Sequence, residues 1–241
     1  MKIKTILIVL LLAGFSSVIL AQSVTVTPKK VIYKRPKPLA DHKKSFTVNY
    51  PKIRAASPVL SRKIESVLDY EKIFSFKINE EIRDIQWLEE ADFRVDYNKN
   101  GILGMTLWIE GSGAYPSGVS EPVVINLKTG TRVRGRDVFV RLPDLVARVR
   151  NAQRAEIKKA IADIKKQYPE ERAPAQLFES ARFGLNNLNE FSVSDQGITF
   201  WYNYGFPHVI RALEPEGRYF FSWTDLRPFI KPNGLLAQFV R

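Results

Sequence analysis

Residues 92–110, DFRVDYNKNGILGMTLWIE, decide the fold class. Phe93, Val95 and Tyr97 alternate with polar neighbours, Asn98 to Gly101 supply turn residues, and Leu103, Met105 and Leu107 continue on one face. Hydrophobicity of period two on both sides of an Asn/Gly turn is the pattern of an antiparallel hairpin. The following EPVVINLKTGTRV (121–133) repeats it, with Thr129 and Gly130 as the turn. Upstream, SFTVNYPKI (45–53) alternates Phe46, Val48 and Tyr50 as a half-buried strand does. Ser57 followed by Pro58 opens a helix, the hydroxyl capping it and the proline standing where a missing N–H costs nothing. Leu60, Ile64, Val67 and Leu68 keep helical spacing behind it, and Ile78, Ile82 and Ile85 to Trp87 extend helical spacing further on. A long helix spans Pro143 to Gln167, with a stripe of Leu145, Val149, Ile157, Ile161, Ile164 and Tyr168 and its lysines on the wet side. The last third returns to strands: FSVS (191–194), ITFWYNYGF (198–206) and RYFFSW (218–223), with turns at Asp195–Gly197 and Asp225–Pro228. Strand runs separated by single long helices predict an α+β fold, antiparallel sheet lobes with two or three helices packed on them.

The first 21 residues, MKIKTILIVLLLAGFSSVILA, have the layout of a secretory signal peptide: Lys2 and Lys4, an apolar run, then small residues before a cut after Ala21. An exported location, periplasmic or extracellular, is the expectation. The chain has no cysteine, which excludes a disulfide framework, a thiolate metal site and a lipid-modified cysteine. With 37 basic and 25 acidic residues the formal charge is +12, and removal of Lys2 and Lys4 leaves +10. That excess favours anionic polymers; for an exported chain this means wall, surface glycolipid or lipid headgroups rather than nucleic acid. Residues 22–44 read as a basic, proline-rich linker, since prolines stiffen it and like charges extend it. Its Lys29, Lys30, Lys34, Arg35, Lys37, Lys43 and Lys44 are candidates for peripheral contact with an anionic membrane surface. The folded part divides by pattern into a lobe at 45–110 and a lobe at 111–230, with a tail at 231–241.

The chain shows no catalytic signature. The glycines between Gly111 and Gly118 leave one strand and precede another, whereas a phosphate loop opens a helix; they read as an inter-strand connection. His42 and His208 are the only histidines, so a zinc site or nucleophile triad would rest on His208 alone. Glu80–Glu81 and Glu89–Glu90 are sequence neighbours whose side chains point apart, which does not suit two carboxyls facing across a cleft. In FWYNYGF (200–206), strand alternation puts Phe200, Tyr202, Tyr204 and Phe206 on a core face and Trp201 on the other. No cofactor and no metal are expected.

The order of Tyr50-Pro51-x-Ile53, VDYNKNGILGMTLWIEGSGAYP, NLKTGTRV with GRDVF, and DQGITFWYNYGFP resembles an exported pair of domains of unknown function. It is the pair found outside the membrane in RsiV-type anti-sigma factors and beside PdaC-type peptidoglycan deacetylases, the N-terminal lobe resembling the latter and the C-terminal lobe the former. The likeness covers residues 45–230. It departs at Tyr115, where the family shows histidine, and at YGFPHVIRALEPEG (204–217), which replaces a tighter turn. The resemblance implies an extracytoplasmic sensing or binding role, and the glycine stretch as a ligand rim. The reaction of the deacetylase relatives lies in a domain outside the matched module. Candidate ligand-binding residues are therefore Gly111, Gly113, Tyr115, Pro116, Trp201, Tyr204 and His208. The function expected is a non-enzymatic cell-envelope module for cell-wall polysaccharide or an envelope protein. The alternatives are a lysozyme-type protein as partner, a wall-modifying hydrolase or deacetylase, and a purely structural envelope protein.

Overall fold

The computed structural model describes residues 23–113, 115–170 and 174–241; the expected signal peptide lies outside them. Thr25–Lys34 (β1) pairs antiparallel with Ser45–Arg54 (β2) along its whole length. β2 then lies parallel to Leu88–Lys99 (β3), through Thr47↔Glu90 and Val48↔Ala91. A parallel neighbour needs a crossover, and the helices Pro58–Val67 (α1), Tyr70–Ile73 (α2) and Ile78–Arg83 (α3) supply it. β3, Ile102–Ser112 (β4), Pro116–Asn126 (β5) and the two-residue Thr131–Arg132 (β6) continue as an antiparallel meander, giving the order β1-β2-β3-β4-β5-β6. Gly135–Val138 (α4) and Leu142–Gln167 (α5) lead to a second antiparallel sheet of Phe191–Val193 (β7), Gly197–Trp201 (β8) and Arg218–Ser222 (β9). Trp223–Leu226 (α6) and short 3₁₀ turns finish the chain. The architecture is α+β, as the pattern indicates. Among the described residues no helix is long and apolar enough to cross a membrane.

The two faces of the large sheet build two cores. On one, Leu103, Met105 and Ile125 pack with Phe46, Val48 and Ile64 of β2 and α1. On the other, Tyr97, Ile102 and Val124 meet Val149 of α5 and Phe191 and Phe200 of the small sheet. α1 starts as its sequence specifies, Ser57 Oγ accepting from the Leu60 N–H at 3.2 Å with Pro58 in the first turn. The β3–β4 turn has Asn100 at φ 56° and Gly101 at φ 73°, the paired positive values of a tight hairpin turn.

Six expectations are corrected. Phe93, Val95 and Tyr97 do not share a face: the register slips between Val95 and Tyr97, and this bulge turns Tyr97 into the opposite core, over Gly104. Helical spacing at Ile85 to Trp87 is not used; α3 ends at Arg83, Gln86 takes φ 55°, and β3 begins at Leu88. Residues 25–34 are a strand, not a solvated linker. Lysines and Pro28 are tolerated because β1 is a sheet edge, where such residues discourage further pairing. Arg35 leaves the set of surface cations altogether. It is 4% exposed, donates to the carbonyls of Glu81 (3.1 Å), Lys43 (2.7 Å) and Leu88 (2.6 Å), and lies 5.0 Å over the Phe46 ring. Finally, residues 231–241 are not a tail: Leu236 is fully buried, and Phe239 stacks on Trp223 with centroids 4.3 Å apart. Position 110/111, read as a lobe boundary, falls in the paired ends of β4 and β5, so both sides of it belong to one sheet.

Candidate functional site

β6 pairs only with Ile125 and Asn126, so among the described residues β5 has no strand beyond its outer edge for most of its length. There, Gly118 to Pro122, the end of β8 and the loop before β9 enclose a cavity of about 390 Å³. The carbonyls of Gly118, Pro122 and Val124 receive bonds from Arg211, Arg132 and the Val133 N–H, all from outside β4. Backbone groups alternate sides along a strand, so Ser120, midway between Gly118 and Pro122, also turns its N–H and C=O outward. Ser120 is exposed and lines the cavity, and those two groups have no partner among the described residues.

The cavity is charged. Glu121, Glu190, Glu214 and Glu216 line it against Arg211 and Arg218, a local excess of carboxylate on a chain of formal charge +12. Burial, then the charge and the close approach of the neighbouring Glu190 carboxyl, push the Glu121 carboxyl up to about 7, against the pull of Arg132 and Arg218. Two carboxyls in contact cannot both ionise cheaply, so the pair holds a proton between them. Arg132 Nη2 donates to Glu190 Oε2 at 2.8 Å and ties the pair to β6. Trp201 is the last residue of β8 and faces Arg218 of β9 in register, and the guanidinium lies 3.6 Å from the ring centre. The indole N–H of Trp201 donates to Ser192 Oγ at 3.2 Å, which fixes the plane of the ring.

Behind this wall α5 contributes Glu156. Its Oε2 accepts from Tyr204 Oη (2.8 Å) and Tyr219 Oη (2.7 Å), and its Oε1 accepts from the Gly217 N–H (3.1 Å). Gly217 needs to be glycine, because it takes φ 62° and an added Cβ would sit 2.0 Å from the Tyr202 carbonyl oxygen. The loop carrying Glu214 and Glu216 is thereby anchored at its exit into β9.

The sequence candidates scatter. Trp201 lies in the cavity, and Tyr202, expected in the core, lines it as well because the chain leaves β8 after Trp201 and strand alternation stops. Tyr204 belongs to the Glu156 network instead. Gly111 is a packing position: a Cβ there would meet the Trp87 carbonyl oxygen at 2.0 Å. Gly111 and Pro116 border a second, shallower hollow with Glu89 and Glu110, Gly113 is exposed, and Tyr115 is 65% exposed beside it. His208 opens the 3₁₀ turn His208–Leu213. Lys29, Lys30, Lys34, Lys37, Lys43 and Lys44 are exposed, with Lys43 paired to Glu89. Among the described residues no cluster of His, Asp and Glu could hold a metal ion. Sequence reading missed Glu121, Glu190, Arg211 and Arg218. Glu121 carried a signal, since it is the one charge in the period-two series Val119, Glu121, Val123, Ile125.

No family model matches this sequence, and no curated protein matches it. Solved structures do. A member of the DUF3298 family from Bacteroides fragilis superposes with a TM-score of 0.56 at 12% identity, covering 91% of this chain and 98% of that one. A DUF3298 family protein from Pseudomonas aeruginosa gives 0.54 at 12% identity, covering 88% and 95%. The chain therefore shares the DUF3298 fold over nearly its whole length; at this identity the likeness concerns the fold alone.

Proposed function

We propose that the chain is an exported, non-enzymatic binding module that acts at the cell envelope and holds its ligand in the cavity beside β5. The observation that carries this reading is the composition of that cavity. Two aromatic side chains, two asparagines, four carboxylates and two guanidiniums surround about 390 Å³, and convergent polar groups with aromatic surface are the features of a ligand site. The signal-peptide layout of residues 1–21 supports export, and the resemblance to the RsiV-type and PdaC-type modules supports a sensing or binding role. Net charge argues against a cationic partner such as a lysozyme-type protein. The exposed Glu216 and its neighbouring carboxyls weaken that objection locally, so a cationic partner stands beside a wall polymer as a candidate.

The Glu121–Glu190 pair is the one feature that favours a hydrolase. Glycosidase carboxyls stand roughly 5 to 9.5 Å apart so that a glycosidic bond and a water fit between them. Carboxyls as close together as Glu121 and Glu190 leave no such gap, so binding is the better reading.

The test is co-sedimentation with cell-wall sacculi, once with their attached proteins and once stripped by protease and detergent, beside a lysozyme pull-down. Trp201→Ala should weaken capture by whichever target the wild type retains, and Tyr115→Ala should not. If Trp201→Ala pellets like wild type while charge reversal at Lys29, Lys30 and Lys34 abolishes pelleting, adhesion is electrostatic and the cavity is not the site.

A further inference from the structure

We infer that the cavity takes an extended peptide segment of an envelope protein, added as a strand to the free edge of β5, with a basic side chain directed at the carboxylates. The inference rests on the reading that this cavity is the ligand site, and it names the occupant.

Three observations lead to it. First, the edge is open over a defined length. From Gly118 to Pro122 is about 14 Å at ~3.4 Å per residue, room for a partner of roughly three residues. Second, the ends of that interval are already satisfied. Arg211 donates to the Gly118 carbonyl and Arg132 to the Pro122 carbonyl, and Pro122 has no N–H to offer. That leaves the N–H and C=O of Ser120 as the free donor and acceptor at the centre, the two groups that one residue of an antiparallel partner would engage. Long open edges are usually blunted by lysine, proline or a covering loop. β1 is treated that way along its length, with Lys29, Lys30 and Lys34, whereas on β5 Pro122 and the arginines on Gly118 and Pro122 blunt only the two sides of Ser120 and leave its own groups open. Third, one carboxylate stands free. The Glu121–Glu190 pair is met by Arg132, and Glu214 lies 3.9 Å from Arg211 and accepts from the Gly205 N–H, whereas Glu216 lines the cavity, exposed and without an ion pair among the described residues. A lysine or arginine projecting from the added strand would meet that carboxylate, and its neighbours would lie along Trp201 and Tyr202. Backbone bonding would supply affinity, and the charge would supply selectivity.

The experiment uses an array of acetylated, amidated pentapeptides with valine on either side of a central residue varied through all twenty types. Each is measured against the purified protein by fluorescence anisotropy. Lysine and arginine at the centre should bind at least tenfold more tightly than glutamate. N-methylation of the central amide should reduce binding at least tenfold without changing any side chain. Ser120→Pro should do the same from the protein side; its N–H faces away from β4, so β4–β5 pairing survives, and an unchanged far-ultraviolet circular dichroism spectrum checks that. Glu216→Gln should lower the preference for lysine over glutamate. Failure of every peptide to bind, or binding indifferent to N-methylation and to Ser120→Pro, overturns the inference. If stripped sacculi are retained in a Trp201-dependent way, the occupant is glycan: the inference falls and the binding function stands. If no cavity substitution alters any binding, both fall.

Discussion

The substitution Glu121→Gln should make the protein more stable at alkaline pH and leave it nearly unchanged in acid. In the folded chain burial and Glu190 raise the Glu121 carboxyl from its ordinary 4.5 to about 7. The folded state therefore holds a proton that the unfolded state releases between those two values. Stability from this group is fully present below about 4.5 and is lost as pH rises to about 7, because stability falls with pH wherever the folded state binds more protons. At full strength the difference corresponds to ~3 kcal/mol, and because Glu121 is only partly buried, screening reduces this to ~1.5 kcal/mol. Glutamine keeps the shape and a donor for Glu190 but carries no charge at any pH. At pH 8 it should add ~1.5 kcal/mol, or about 3–6 °C in Tm for a chain of this size. At pH 4.5 it should add close to nothing. The assay is urea or thermal unfolding of both proteins from pH 4.5 to 8, read as the difference curve. A difference that is flat across that range, or a loss of stability at pH 8, would refute the shared-proton account of the pair.

Three further outcomes follow from the packing. Arg35→Ala should cost ~3–5 kcal/mol by urea unfolding, since it strands the Glu81, Lys43 and Leu88 carbonyls and the neighbouring Glu81 carboxylate; Arg35→Lys should recover little, because one ammonium does not reproduce the guanidinium fork. Gly111→Ala should cost about 1–3 kcal/mol as β4 is forced off the Trp87 carbonyl, whereas Gly113→Ala should be within ~1 kcal/mol of wild type, its Cβ meeting only the Trp87 ring edge at 3.9 Å. Leu236→Ala should cost ~2–5 kcal/mol, which a dispensable tail would not show.

The α+β class, the β3–β4 and β5–β6 hairpins, α1 and α5 were legible in the sequence because each is fixed by neighbours in the chain. Alternation, an Asn-Gly or Thr-Gly turn, a Ser-Pro start and a 3.6-residue stripe are local signals, and the structure uses them except at Tyr97, which a bulge diverts, and at Tyr168, which follows α5 and is 46% exposed. What failed were readings that needed a partner distant in sequence. Composition made residues 25–34 look solvated, but β2 supplies hydrogen bonds to every part of β1, and an edge strand can show lysines to water on its outer side. Arg35 was read as a surface cation because nothing nearby in sequence says that Glu81 and Leu88 will offer it carbonyls. The Asp96 bulge, invisible to a period of two, sent Tyr97 into the other core.

The candidate site divides in the same way. Trp201 was visible as an aromatic on the minority face of its strand. The rest of the cavity joins β5, the residue before β7, the end of β8 and the loop leading into β9, segments spread from residue 118 to residue 218. Glu121 and Glu190 are unexceptional side chains until the small sheet packs against the large one and brings them close together. The sequence by itself determined the local elements and the basic, cysteine-free character of the chain, because those depend on side-chain type and short-range periodicity. Only the tertiary structure decided which strand edge stays open and which carboxylates share a proton, because both depend on long-range packing that removes some groups from water and leaves others facing it.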